Sequence, residues 1–289
     1  MKSRSRINLP VLYFVLPFMV VYVIFQIYPL FQAVIASMFK WDLLTSSMSF
    51  IGLKNYTHMF QDPTFWSSLM NTIKFVIFST PLLIGVGLLF ALLLNGTGSK
   101  KVLFRTAYFA PYVFSVSIVT LIWGFMFNPQ KGLLGEFSRM LGAEPINWLT
   151  DPTFAMPAII IATLWWTVGF NMVLLLAGLQ DIDPALYESS SLEGATWFQD
   201  LLYITLPSLR RTLELVTILQ IIMSFQIFGQ VYILTKGGPG GTTRVLIQYI
   251  YETGFRDHQL GYASAMAFIL FLVMAMVSFF QFRLSKEEN

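Results

Sequence analysis

The sequence predicts an all-α, polytopic membrane protein with six transmembrane helices, and three observations carry that prediction. Of its 289 residues 56% are hydrophobic and only 11% charged, about half the charge of an ordinary soluble domain. Reading from one charge to the next isolates six long uncharged runs: Arg6 to Lys40, Lys74 to Lys100, Arg105 to Lys131, Asp151 to Asp181, Glu214 to Lys236 and Asp257 to Arg283. Each holds at least the ~20 residues that a helix needs to cross ~30 Å of hydrocarbon. No interior break in composition divides the chain, so residues 1–289 read as a single membrane domain with both termini on one side.

Helix one is expected over about Leu9 to Phe31, bent or bounded by Pro10, Pro17 and Pro29. The basic start followed by an apolar run invites comparison with a signal peptide, but the run from Ile7 to Phe39 exceeds the 7 to 15 residues of an h-region and reads as an uncleaved span. From Lys40 to Asn71 the aromatic residues Trp41, Tyr56, Phe60, Phe65 and Trp66 among polar ones predict short interfacial amphipathic pieces. Helix two follows over about Asn71 to Leu94, a turn over Asn95-Gly96-Thr97-Gly98-Ser99, and helix three over about Val102 to Phe127. The loop from Asn128 to Pro152 holds a short helix candidate, Leu133 to Leu141.

Helix four is expected from about Phe154 to Leu179 and helix five from about Leu213 to Thr235, with a polar and aromatic segment between them. In that segment Asp183-Pro184 is a good helix start, because a carboxylate caps free N–H groups and proline at the first position loses no bond. Gly194 supplies a reversal, Thr196 to Tyr203 resumes as helix, and Pro207 ends the piece. Exposed Tyr187, Leu192, Trp197 and Phe198 would give the element an apolar edge. After helix five, four glycines around a proline in Gly237-Gly238-Pro239-Gly240-Gly241 preclude regular helix. Val245 to Phe255 is a short helix candidate, and helix six runs from about Tyr262 to Phe282.

Basic residues set the orientation. Lys2, Arg4, Arg6, Lys100, Lys101, Arg105, Arg210, Arg211, Arg283 and Lys286 crowd the short connections of one side, and the remaining eight are spread over three long loops, which places both termini in the cytoplasm. A net charge of +3 without a clustered basic face calls for no nucleic-acid partner. The absence of cysteine excludes disulfides and thiolate sites, and His58 and His258 have no second ligand at metal spacing.

Polar side chains within the spans are the candidates for solute contact. Gln220 and Ser224, four apart, share one face of helix five, with Gln226 and Gln230 beside them. Helix four offers Thr163, Thr167 and Phe170 at i, i+4 and i+7, with Trp165, Trp166 and Asn171 nearby. These groups fit a hydrated sugar, and they equally fit hydrogen bonds between helices. No Asp, Glu or Arg pair interrupts a span, which counts against an ion-coupled secondary carrier, and no His, Asp or Ser cluster at one depth supports a membrane-embedded enzyme.

The segment 183–207 resembles the EAA loop of ABC-importer permeases. In register with that pattern stand Glu188, Glu193, Gly194, Ala195, Ile204, Leu206 and Pro207; Ser189 and Ser190 replace its alanines, Glu193 its aspartate and Leu201 an aromatic. Gly237-Gly238-Pro239, Thr243, Tyr249, Tyr251 and Phe255, with Gly52-Leu53, Asn55-Tyr56, Asp62-Pro63, Phe65-Trp66 and Asn71-Thr72, resemble the outer loops of the carbohydrate-importer subgroup, the maltose, multiple-sugar and glycerol-phosphate type. The resemblance implies a non-enzymatic permease subunit of a bacterial inner membrane. It implies pairing with a second, non-identical permease, an ABC ATPase dimer below and an extracytoplasmic solute-binding protein above. Glu188, Ser189, Ser190, Glu193, Gly194, Ala195 and Pro207 would then couple to the ATPase as a cytoplasmic coupling helix, and helices four and five would contact a sugar, polyol or oligosaccharide. The chain has no Gly-x-x-x-x-Gly-Lys-Ser/Thr loop, so ATP and Mg would be used by the partner and no cofactor is expected on this chain.

Overall fold

The computed structural model describes residues 9–45, 47–96 and 98–287. Lys2, Arg4 and Arg6 of the charge count and Thr97 of the expected turn lie outside them. In chain order come α1 (Leu9–Tyr22), a π-helical turn (Val23–Ile27), α2 (Tyr28–Ala36), β1 (Phe39–Trp41), β2 (Met48–Phe50), α3 (Lys54–Gln61) and α4 (Pro63–Leu94). Then follow α5 (Ser99–Phe109), a 3-10 turn (Ala110–Val113), α6 (Val116–Met126), α7 (Leu133–Met140) and α8 (Ala155–Gln180). The remainder is α9 (Pro184–Leu192), α10 (Trp197–Asp200), a π-helical turn (Leu201–Thr205), α11 (Leu206–Ser208), α12 (Arg210–Phe225), α13 (Gly229–Leu234), α14 (Leu246–Tyr251), a π-helical turn (Glu252–Arg256) and α15 (Leu260–Glu287).

Five segments of the described residues are long and apolar enough to span a membrane, Tyr13–Ala36, Pro63–Leu94, Ala155–Gln180, Arg210–Leu234 and Leu260–Gln281, and α5 with α6 makes a sixth if the bent pair is one span. Helix three, expected as one helix over about Val102 to Phe127, is a bent pair. It bends by 101° between Val113 and Val116, where Pro111 lacks an amide donor and the Ser115 hydroxyl caps the new helix by accepting from Ile118 N. Helix five is also interrupted, at Gln226 to Phe228.

The chain divides into two compact units, Met1–Phe65 with Ile250–Leu272 and Trp66–Tyr249 with Val273–Asn289. In the first, the segment expected as short interfacial amphipathic pieces holds α3 and, before it, a small antiparallel hairpin, with Phe39 opposite Phe50 and Trp41 opposite Met48. The Asn55 amide holds it by donating to Ser37 O at 2.7 Å and Phe39 O at 3.0 Å, and the Ser37 and Tyr56 hydroxyls lie 2.6 Å apart. The Tyr262 hydroxyl donates to Asp62 Oδ2 at 2.7 Å. Gly261 lies so close to this strand that a Cβ there would overlap the Phe39 carbonyl.

The second unit holds the larger core. Ala91, Met172, Leu175, Leu179, Leu209 and Val216 close one cluster between α4, α8 and α12, and Phe75, Ile159, Ile227, Val231 and Val245 close another. Helix approach is set by glycine: a Cβ on Gly169 would stand 2.3 Å from Tyr108 O, so α8 and α5 meet backbone to backbone.

Candidate functional site

Three features of the second unit bring together residues that the sequence singles out. The first is a cavity of about 460 Å³ lined by Phe75, Tyr112, Thr163, Trp166, Thr167, Gln220, Met223, Ser224, Gln226, Ile227 and Gln230. Its walls come from near the centres of α4, α8 and the Arg210–Leu234 span, so it sits at mid-depth. Both interrupted helices break at this cavity. Tyr112 lies in the 3-10 turn between α5 and α6, and Gln226 and Ile227 lie in the break between α12 and α13. A break in apolar surroundings leaves backbone groups unpaired unless protein or cavity water satisfies them. Here the Trp166 indole N–H donates to Phe114 O at 3.2 Å, answering one of the carbonyls freed by the bend.

Behind the wall runs a buried polar chain. Asn171 Nδ2 donates to Gln220 Oε1 at 2.9 Å, and Gln220 Nε2 donates to Ser224 Oγ at 3.0 Å. The hydroxyls of Ser79 and Thr80 on α4 each approach Ser224 Oγ at 3.4 Å. Of the six expected pathway residues, Gln220, Ser224, Thr163 and Thr167 line the cavity. Asn171 is buried one layer back, and Phe170 stacks on Tyr112 with ring centres 5.0 Å apart. The Thr163 and Thr167 hydroxyls spend their protons on Ile159 O and Thr163 O, so toward the cavity they offer acceptor oxygens. Sequence reasoning missed Tyr112, Ser79 and Thr80; the Pro111 beside Tyr112 was the available signal.

The second feature is the loop after α8. The Asp183 carboxylate accepts from Ala185 N at 2.9 Å, capping α9, and Gly194 takes φ +80° to close its C-terminus. Thr196 and Gln199 then form a capping box that starts α10. Ser190 Oγ donates to Asp200 Oδ1 at 2.7 Å, and the Tyr187 and Thr205 hydroxyls lie 3.0 Å apart, so the two limbs are braced into one rigid elbow. Glu188, Ser189, Glu193 and Gly194 are exposed, Ala195 is half-buried and Ser190 is buried. Tyr187 packs against the α4/α8/α12 core and leaves the expected apolar edge, which Leu192, Trp197, Phe198 and Tyr203 form instead. Pro207 does not end the segment: it sits in the first turn of α11, after a π-helical turn, where its missing donor costs little, and Leu209 N donates to Thr205 O at 2.9 Å, carrying the chain on to α12. Between the limbs a notch of about 360 Å³ is lined by Ser190, Glu193, Gly194, Ala195, Gln199, Asp200, Tyr203 and Ile204.

The third feature joins motif residues from opposite ends of the chain. Asn71 Nδ2 donates to Gly241 O at 2.9 Å and Arg244 O at 3.0 Å, and Leu246 N donates to Thr72 Oγ1 at 2.9 Å. Thr243 Oγ1 donates to Gly238 O at 2.7 Å, closing the glycine-rich loop on itself. A Cβ on Gly237 would meet the Gln248 side chain at 2.8 Å, which explains glycine there.

Comparison with known proteins decides the family. The model of the binding-protein-dependent transport system inner membrane component family matches residues 64–287. The chain belongs to this family. As such a component it is a multi-pass protein of the inner membrane and a transport subunit, not an enzyme. The probable ABC transporter permease protein YurN of Bacillus subtilis is 33% identical over 275 residues, covering 93% of this chain and 94% of that protein. The lactose transport system permease protein LacF of Rhizobium radiobacter is 33% identical over 282 residues, covering 96% and 94%. The trehalose/maltose transport system permease protein MalF of Thermococcus litoralis is 34% identical over 265 residues, covering 91% and 90%. Among solved structures, a chain of a bacterial alginate ABC transporter in complex with alginate pentasaccharide-bound periplasmic protein shares the fold. Its TM-score is 0.83 at 23% identity, with 96% of this chain and 94% of that chain covered.

Proposed function

We propose that this transport component is the permease subunit that forms half of the pathway of an ATP-driven importer for a sugar, oligosaccharide or polyol. The observation that carries the reading is the mid-depth cavity on which two discontinuous spans converge, lined by amides, hydroxyls and the rings of Tyr112 and Trp166. Such a lining suits a neutral polyhydroxylated solute, whose hydroxyls need donors and acceptors and whose C–H faces stack on aromatic rings. Among the described residues no Asp, Glu, Lys, Arg or His lines it, which disfavours an ion-coupled carrier. The relatives named for lactose and for trehalose/maltose support the same solute class.

In this reading Gln220, Ser224, Thr163 and Thr167 contact solute, Asn171 and Phe170 hold Gln220 and Tyr112 in place, and a second, non-identical permease completes the cavity. An extracytoplasmic solute-binding protein delivers the solute. Both termini and the elbow at residues 183–207 face the cytoplasm, where Glu188, Ser189, Glu193, Gly194 and Ala195 enter the cleft of an ABC ATPase dimer that uses ATP and Mg. Ser190 and Pro207 shape the elbow from within. Closure of that dimer pulls the elbow, and because the elbow continues into α12, the pull reaches Gln220 and Ser224 directly.

Purification of the tagged chain from native membranes tests the proposal, followed by uptake of labelled lactose, maltose and trehalose into vesicles. An ATPase and a second permease that co-purify, with uptake of at least one sugar lost on deletion of this chain, support it. A chain that purifies alone, or uptake unaffected by its deletion, contradicts it.

A further inference from the structure

We propose that α7 is an interfacial anchor whose exposed apolar face lies in the headgroup boundary of the lipid bilayer and fixes the depth of α6. Leu133, Phe137 and Met140 stand at i, i+4 and i+7 with Leu141 beside them, a single stripe whose members are 60%, 60%, 82% and 69% exposed. The rest of the helix is already used: Gly135, opposite the stripe, is buried, and Leu134 on its flank packs on the cluster of Phe127, Ala158 and Ala162.

The helix is clamped in place. A Cβ on Gly132 would stand 2.3 Å from Phe125 O, and one on Gly135 2.4 Å from Pro129 O, so only glycine allows this approach. Arg139 reaches back across the turn, its Nη1 donating to Pro129 O at 3.0 Å and its Nη2 to Gln130 O at 2.9 Å. A stripe so exposed on a helix so fixed is presented to a surface rather than awaiting collapse into the core.

The clamp also sets the depth. The start of α7 touches the carbonyls of Phe125 and Met126, the last turn of α6. In a protein of the inner membrane, the exposed stripe Ile118, Leu121 and Phe125 of α6 faces hydrocarbon. A helix held against the end of that stripe lies at the hydrocarbon edge, not out in bulk water. Its surroundings match that zone. Half-buried Trp123, Trp148 and Phe154 pack around the buried Phe127 with ring contacts 5.0, 5.5 and 5.7 Å apart, and exposed Lys131 supplies a cation for lipid phosphates, while Arg139 is paired with Glu136. A bilayer interface therefore continues the apolar surface of α6 onto α7 without a break.

The sequence has no cysteine, so single-cysteine spin labels report without background from this chain. Phe137→Cys, Leu133→Cys and Met140→Cys on the stripe, Glu136→Cys on the polar side and Leu121→Cys as the lipid-facing reference are labelled in the assembled transporter. The complexes are reconstituted into phosphatidylcholine/phosphatidylglycerol bilayers and probed with oxygen and with a water-soluble nickel chelate. The ratio of oxygen to nickel accessibility at 133, 137 and 140 is expected to exceed that at 136 roughly threefold or more and to lie below that at 121, which sits deeper in hydrocarbon. A ratio at the stripe equal to that at 136 would place the face in water, and loss of both collisions would place it under a protein partner; either result overturns the proposal. Three stripe positions are used so that one variant lost in purification does not leave the question open.

Discussion

Asn171 Nδ2 donates to Gln220 Oε1 at 2.9 Å, joining α8 to α12 directly behind the cavity wall. The bond fixes the Gln220 amide with its oxygen turned away from Ser224 and its nitrogen toward it. Asn171→Leu leaves Oε1 unpaired on a residue only 4% exposed. The expected cost is about 1–3 kcal/mol, read as earlier thermal unfolding of the purified complex. In a double-mutant cycle Asn171→Leu and Gln220→Leu should show a coupling of about 0.5–2 kcal/mol, within the range found between membrane helices. Strictly additive effects would mean that the contact carries no energy.

Gly169 and Gly85 make a paired test of helix approach. A Cβ at Gly169 meets Tyr108 O at 2.3 Å and Phe109 Cα at 2.8 Å, both backbone atoms that cannot step aside, whereas Gly85 has open space around it. Gly169→Ala is expected to force α8 from α5 and to destabilise by about 1–3 kcal/mol. Gly85→Ala should be neutral or slightly stabilising, because alanine is the better helix former by about 1 kcal/mol. Thermal unfolding of the two variants side by side gives the comparison, and equal behaviour would contradict the packing described.

Asn71 is the peg of the glycine-rich loop, holding the carbonyls of Gly241 and Arg244. Asn71→Leu removes two hydrogen bonds worth about 0.5–1.5 kcal/mol each. Amide exchange over residues 237–246 should accelerate roughly tenfold, while α8 is unchanged. Unchanged exchange in the loop would show that Thr72 and Thr243 suffice to hold it.

The spans were legible in the sequence because absence of charge over twenty residues is a long, redundant signal, and α8 and α15 begin within two residues of expectation. The break at Phe114 and Ser115 was not, because the run from Arg105 to Lys131 stays apolar through it; a bend changes hydrogen bonding without changing hydropathy. The hairpin of Phe39–Trp41 and Met48–Phe50 was hidden for a related reason: three-residue strands carry too few alternations to show a period. Gln220, Ser224, Thr163 and Thr167 were found by asking which polar groups share a helical face, a question that sees one helix at a time. Tyr112, Ser79 and Thr80 reach the same place from other helices, and only the packing of α4, α5 and α6 brings them there.

The elbow at residues 183–207 as the point where ATP hydrolysis is converted into movement of α12 is the centre of this account. It is tested most directly by the number of sugar molecules taken up per ATP hydrolysed in proteoliposomes holding the complete transporter, with Glu188→Ala and Gly194→Val. Glu188 is exposed, and Gly194 combines φ +80° with open space, so valine strains the backbone turn without a clash. The account predicts assembled complexes that still hydrolyse ATP while uptake per ATP falls roughly tenfold or more, the elbow having lost its grip or its shape. Wild-type uptake per ATP in both variants would contradict it.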